Sequence, residues 1–96
     1  MQAVELIKQL GINDYSFDAD KNLVVNLNST NLWDKIKNKL HKLEDFDEIE
    51  DESVIEQDYC KSVFESEDLI VEMTLSFVDD KHKITIKENE NEDNNW

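Results

Sequence analysis

The side chains able to do chemistry in this sequence are mostly carboxylates, and they crowd into one stretch. From Glu44 to Asp58 the chain reads EDFDEIEDESVIEQD. Glu44, Asp45, Asp47, Glu48, Glu50, Asp51, Glu52, Glu56 and Asp58 supply nine acids in fifteen residues. No lysine falls between Lys42 and Lys61. Phe46, Ile49, Val54 and Ile55 are spaced among the acids, which predicts a carboxylate array held on a folded surface rather than a plain acidic tail. In an extended strand, residues i and i+2 lie about 6.6–6.8 Å apart on one face. In a helix, side chains at i and i+4 lie about 5–6 Å apart. Both spacings resemble the separation of successive phosphates along a nucleic-acid strand. In extended form Glu48, Glu50, Glu52, Glu56 and Asp58 share one face. Such a row suits a Lys/Arg-lined groove built for DNA or RNA, with fast electrostatic association.

Other chemistry is thinly represented. His41 sits among lysines, and His82 sits in a predicted turn beside Asp79 and Asp80. Either offers a base with an orienting carboxylate, but neither has a partner nucleophile. Cys60 lies between Tyr59 and Lys61, with Asp58 close by, and reads as a partly buried, inert thiol. Asp18, Asp20 and Asn22 have the spacing that opens an EF-hand calcium loop. The match then fails, because Leu23 replaces the required glycine and Ser29 stands where a bidentate Glu belongs. A solvated turn is expected there. The sequence predicts no enzyme, no cofactor and no metal.

Composition narrows the classes further. Ninety-six residues suit one domain with a modest core. The formal charge is −14, every basic residue other than the two histidines is Lys, proline is absent, and Gly11 is the lone glycine. A Gly-rich phosphate loop is therefore excluded. The single cysteine excludes an internal disulfide and a multi-cysteine zinc site, which makes the cytoplasm the easier setting. The opening MQAVELIKQLG is too polar for a signal peptide, and no apolar run is long enough for a membrane span. The charge is unevenly placed: residues 1–42 sum to +1 and residues 43–96 to −15. Direct nucleic-acid binding is disfavoured, since the net field repels phosphate.

These groups must be positioned by ordinary elements. A helix is predicted over Gln2–Leu10, stopped by Gly11 at a left-handed C′ position with Ile12 returning to Ile7. Tyr15 and Phe17, a DADKN turn, then Leu23, Val25 and Leu27 predict a hairpin. Asn31 is the predicted N-cap of a second helix, with Asp34 in its first turn. Leu32, Ile36, Leu40 and Leu43 form its apolar stripe, with Trp33 at the edge. Lys35, Lys39 and Lys42 align on another face, either solvated or paired with the acidic stretch. Ser53-Val-Ile-Glu56 matches a capping box, yet Ile55, Tyr59 and Val63 fit a strand, and a strand over 55–64 is preferred. Leu69, Val71, Met73, Leu75 and Phe77 alternate inward, then Asp79–His82 turn, and Ile84 and Ile86 return. Glu65–Asp68 is the turn before this hairpin. The expected fold is α+β, two helices packed on one face of an antiparallel sheet in the order αββαβββ. It forms one domain over 1–88, with a disordered acidic tail over 89–96.

The stretch EDFDEIEDESVIEQD, the small size and the lack of catalytic motifs resemble small acidic DNA-mimic inhibitors, such as phage anti-CRISPR and anti-restriction proteins. That resemblance implies a bacteriophage or mobile-element protein that blocks the nucleic-acid site of a host nuclease, either a Cas effector or a restriction enzyme. The alternative is a small cytoplasmic protein–protein interaction module, which should expose an apolar patch around Trp33 or Tyr59.

Overall fold

The computed structural model describes residues 1–89. The elements run α1 (Ala3–Gln9), β1 (Ser16–Phe17), β2 (Leu23–Leu27), α2 (Thr30–Lys42), β3 (Asp47–Glu48), a 3-10 turn (Glu50–Glu52), β4 (Val54–Ile55), β5 (Tyr59–Glu65), β6 (Leu69–Ser76) and β7 (Lys81–Glu88). The fold is α+β. Its seven-stranded sheet runs β1-β2-β7-β6-β5, with β3 and β4 both on the far edge of β5, and every pairing is antiparallel. The expected αββαβββ order therefore gains two short strands, both drawn from the acidic stretch.

Helix α1 stops as its sequence dictates. Gly11 adopts φ +76°, the N–H of Ile12 donates to Ile7 O, and the N–H of Gly11 donates to Lys8 O, each at 3.1 Å. Those two bonds define a Schellman ending. Lys39 Nζ adds a bond to Leu10 O at 3.1 Å, capping the negative end of the helix.

Helix α2 starts earlier than expected. Ser29, not Asn31, is the N-cap, with its hydroxyl accepting from Leu32 N at 3.1 Å. A hydroxyl in extended backbone at 29 serves the third helical N–H, which pulls Asn31 inside the helix and leaves no acid in the first turn. The buried stripe is consequently Trp33, Ile36 and Leu40, while Leu32 is 40% exposed. Trp33 Nε1 donates to Thr74 O at 3.0 Å, which ties α2 to β6.

The sheet's register sorts its two faces. Rows such as Leu23–Ile86–Val71–Phe64 and Val25–Ile84–Met73 share one side. They join Leu6, Ile7, Leu10, Trp33, Ile36 and Leu40 in one buried cluster. β6 alternates as read from the sequence, but it ends at Ser76, and Phe77 is 53% exposed in the following turn. His82 is not in that turn: it is the second residue of β7, buried opposite Leu75 and Leu27. Val24 and Val63 are buried on the opposite side, so β2 reads as three consecutive buried residues rather than an alternation.

The strand preferred over 55–64 is a hairpin instead, with β4 and β5 joined through Glu56–Asp58. The predicted turn at Glu65–Asp68 forms around Ser66, whose hydroxyl accepts from the N–H of Asp68 and of Leu69. The tail expected over 89–96 lies outside the described residues except for Asn89. That residue donates from its N–H to Asp68 O and from Nδ2 to Ser66 O.

Candidate partner-binding surface: the acidic edge

The acidic stretch becomes the edge of the sheet beyond β5, and its register explains its shape. Asp47 and Glu48 pair with Glu65 and Phe64, while Val54 and Ile55 pair with Lys61 and Cys60. Six steps from Glu48 to Val54 therefore span only three along β5, from Phe64 to Lys61. The three surplus residues are Glu50, Asp51 and Glu52, looped out as the 3-10 turn. At the break the ladder is completed by Ile49, whose N–H donates to Val63 O at 2.8 Å, and by Ser53, whose Oγ accepts from Val63 N at 3.2 Å. Ser53 also donates to Ile49 O at 2.9 Å. The SVIE pattern thus uses its serine to close a bulge, not to cap a helix.

Burial separates the acids. Glu44, Asp45, Asp47, Glu50, Asp51, Glu52, Glu56 and Asp58 are exposed, and Glu48 alone is half-buried. Glu48 lies on the Phe64 side of the ladder, with Oε1 3.3 Å from His41 Nε2 at the end of α2. His41 in turn meets Phe64 edge-on, with ring centroids 5.0 Å apart. Phe46 is buried and anchors the start of the stretch. The single-faced row of Glu48, Glu50, Glu52, Glu56 and Asp58 is not formed. The three-residue loop-out breaks the period of two, so Glu48 turns toward α2, Glu50 and Glu52 form a knuckle, and Glu56 and Asp58 sit in the β4–β5 turn. Of the basic strip of α2, Lys39 serves α1, and Lys37, outside the strip, stands over the Trp33 ring at 5.7 Å.

The sequence reading missed further acids. Asp47 faces Glu65 across the ladder, and Asp45, Asp47, Glu65 and Glu67 line one shallow depression. The signal was the ESED turn, which a β5 running back toward β3 must bring to the start of the acidic stretch. Lysines share one side of the sheet with part of this edge: Lys61 pairs with Val54, on the same side as Asp47 and Glu65. Lys61, Thr74 and Lys83 form one cross-strand row, and Lys81 faces Ser76, all on the side opposite the main core. Lys87 shares that side and reaches Glu72 Oε2 at 3.2 Å.

Comparison with protein-family models, curated proteins and solved structures gives no match.

The other residues singled out in the sequence lie in β7, in β5 and in the β1–β2 turn. Thr30 Oγ1 and His82 Nε2 are 3.0 Å apart, while His82 Nδ1 is buried without a partner among the described residues. Placing the proton on Nε2, donating to Thr30, leaves Nδ1 a bare acceptor, which is the cheaper orphan. Cys60 is half-buried against the core cluster. Asp18 turns its carboxylate into its own loop, where Oδ1 accepts from the N–H of Asp20 and of Asn22, each at 2.9 Å. Those bonds hold its pKa below the ordinary value, the Asn22 N–H contributing most. Lys21 at φ +67° completes that turn.

One end of the sheet carries exposed apolar side chains, Ile55 in β4 and Phe77 and Val78 in the β6–β7 turn. Ile55 is 83% exposed, Val78 72% and Phe77 53%. The N–H of Phe77 donates to Asp58 O at 3.0 Å, which places this group beside the last acids of the stretch.

Proposed function

We propose that this protein is a non-catalytic acidic inhibitor whose carboxylates stand in for nucleic-acid phosphates and block the basic groove of a host defence nuclease. The observation that carries the reading is the placement of eight exposed acids along and beside one sheet edge, held by two short strands and a looped-out turn, in a stretch with no lysine between Lys42 and Lys61. Such an edge concentrates negative potential where an opposing Lys/Arg groove meets it, raising the association rate more than the residence time. Because the acids form a knuckle and a turn rather than a straight row, the groove they suit is one that follows a bent or kinked strand. Glu48, engaged with His41, is the least available of the set.

The test is cleavage by a panel of purified RNA-guided and restriction nucleases, with the parent and with a variant carrying Glu50→Gln, Glu52→Gln, Glu56→Gln and Asp58→Asn. Inhibition by the parent, relieved by pre-bound nucleic acid and lost in the variant, supports mimicry. Equal inhibition by both forms sinks it. A second reading, an interaction module without mimicry, is favoured by the exposed Ile55, Phe77 and Val78. The patch it calls for is centred there and not on Trp33, which is buried.

A further inference from the structure

We infer that the apolar ledge formed by Ile55 and Phe77 is the seat for an amphipathic helix of the partner, one with an apolar stripe flanked by Lys or Arg. This rests on the reading that the partner is a basic protein, and adds which element of that partner is gripped.

Ile55 pairs with Cys60, and Cys60 pairs with Leu75. Ile55 therefore continues a core row outward, past the point where buried neighbours cover it. Phe77 follows Leu75 by two residues, so the alternation of β6 puts it on the same side, one rung beyond the last ladder pair. Two strand spacings and two residue rises separate the pair by about 12 Å. An α-helix brings residues i and i+7 to one stripe about 10.5 Å apart, a close match. Exposed acids lie beside the ledge at the same end of the sheet: Glu56 and Asp58 in the β4–β5 turn, and Asp79 and Asp80 in the β6–β7 turn. A segment seated here meets apolar atoms at the ledge and carboxylates in the turns beside it, which selects an apolar stripe with basic borders. An acidic or uncharged helix would leave those carboxylates facing no counter-charge.

The probe is a synthetic helix with leucines at i, i+3, i+4 and i+7 and lysines elsewhere. It is compared with a scrambled peptide of the same composition and with a Leu/Gln version. Binding to the full chain is measured by calorimetry. The parent should bind the Leu/Lys helix about tenfold more tightly than the scrambled peptide, and Ile55→Ser should remove most of that preference. Ile55 is 83% exposed, so this change leaves the fold intact, as circular dichroism will confirm. Phe77→Ser should act in the same direction. Equal binding of the two lysine peptides by the parent overturns the inference. So does a preference that survives Ile55→Ser, or a Leu/Gln helix that binds as tightly as Leu/Lys. A parent that sediments as a dimer, dissociated by Ile55→Ser, assigns the ledge to a second copy and overturns it too. The scrambled peptide separates this inference from the mimicry reading. Its affinity depends on the acids alone, and should fall when Glu50, Glu52, Glu56 and Asp58 are neutralised, whatever Ile55 does.

Discussion

Asp47 stands directly across the β3–β5 ladder from Glu65, two carboxylates in one antiparallel pair. Like charges so placed oppose the pairing that holds them. Asn89 Nδ2, 3.2 Å from Glu65 Oε2, offsets part of the repulsion. Asp47→Asn should therefore stabilise the protein by about 0.2–1 kcal/mol at low salt. The gain should shrink as salt screens the charges over about 10 Å at 0.1 M. Thermal melts of the parent should likewise rise from low to moderate sodium chloride. A falling midpoint, or a variant less stable than the parent, would show that attractive contacts dominate this edge.

Core packing offers a test of register. Leu75 is buried in β6, and Leu75→Ala should cost about 2–5 kcal/mol. Thr74→Ala, on the other side of the same strand, should cost much less. Phe77→Ala should also cost little, despite continuing the apolar alternation in sequence, because its ring lies outside the core. Urea denaturation of the three variants gives the ranking.

Gly11 is held at φ +76°, a conformation that penalises any side chain. A Cβ there would also meet Lys39 Nζ at 3.4 Å, the group that caps α1. Gly11→Ala should destabilise by about 1–2 kcal/mol. An equal or higher unfolding midpoint would contradict the Schellman ending.

The pH dependence of the first hairpin follows from Asp18. Its folded pKa lies below the ordinary 3.8, so the ionised form is the one the fold prefers. The stabilisation is present above that value and is lost as pH falls through the folded pKa. The parent should be more stable than Asp18→Ala at neutral pH, by a margin that holds down to about pH 4 and closes below it. A margin that persists unchanged at pH 2 would mean the carboxylate's charge is irrelevant to the turn.

Binding to a basic target should be cooperative in charge. Neutralising Glu52 alone should change affinity by no more than about 1 kcal/mol. Neutralising Glu50, Glu52, Glu56 and Asp58 together should slow association by an order of magnitude or more and flatten its salt dependence. Stopped-flow mixing at two salt concentrations reads both effects. Glu48→Gln should act mainly on stability, through its contact with His41.

Much of the fold was legible because its signals are local. Gly11 after a helical run, and alternation from Leu69 to Leu75, each depend on neighbours in sequence. The acidic stretch was not legible in this way. Its register depends on β5, which lies beyond it in the chain, and the three-residue loop-out cannot be deduced from the acids themselves. Ser29 and Asn31 are both good caps by residue type, so local sequence does not select between them. Eight of the nine acids at 44–58 are exposed, but the straight row expected of them dissolves once the edge strand bulges.

The loop-out at Glu50–Glu52 has one more consequence. β5 is seven residues long, and its outer rim would otherwise be a template on which another chain's strand could add. Covering it with two strands of two residues each, split by three consecutive acids, leaves no continuous row of backbone donors and acceptors for a newcomer. The same three acids therefore hinder strand addition at this edge, so a partner meeting it there would have to recognise side chains instead of main chain.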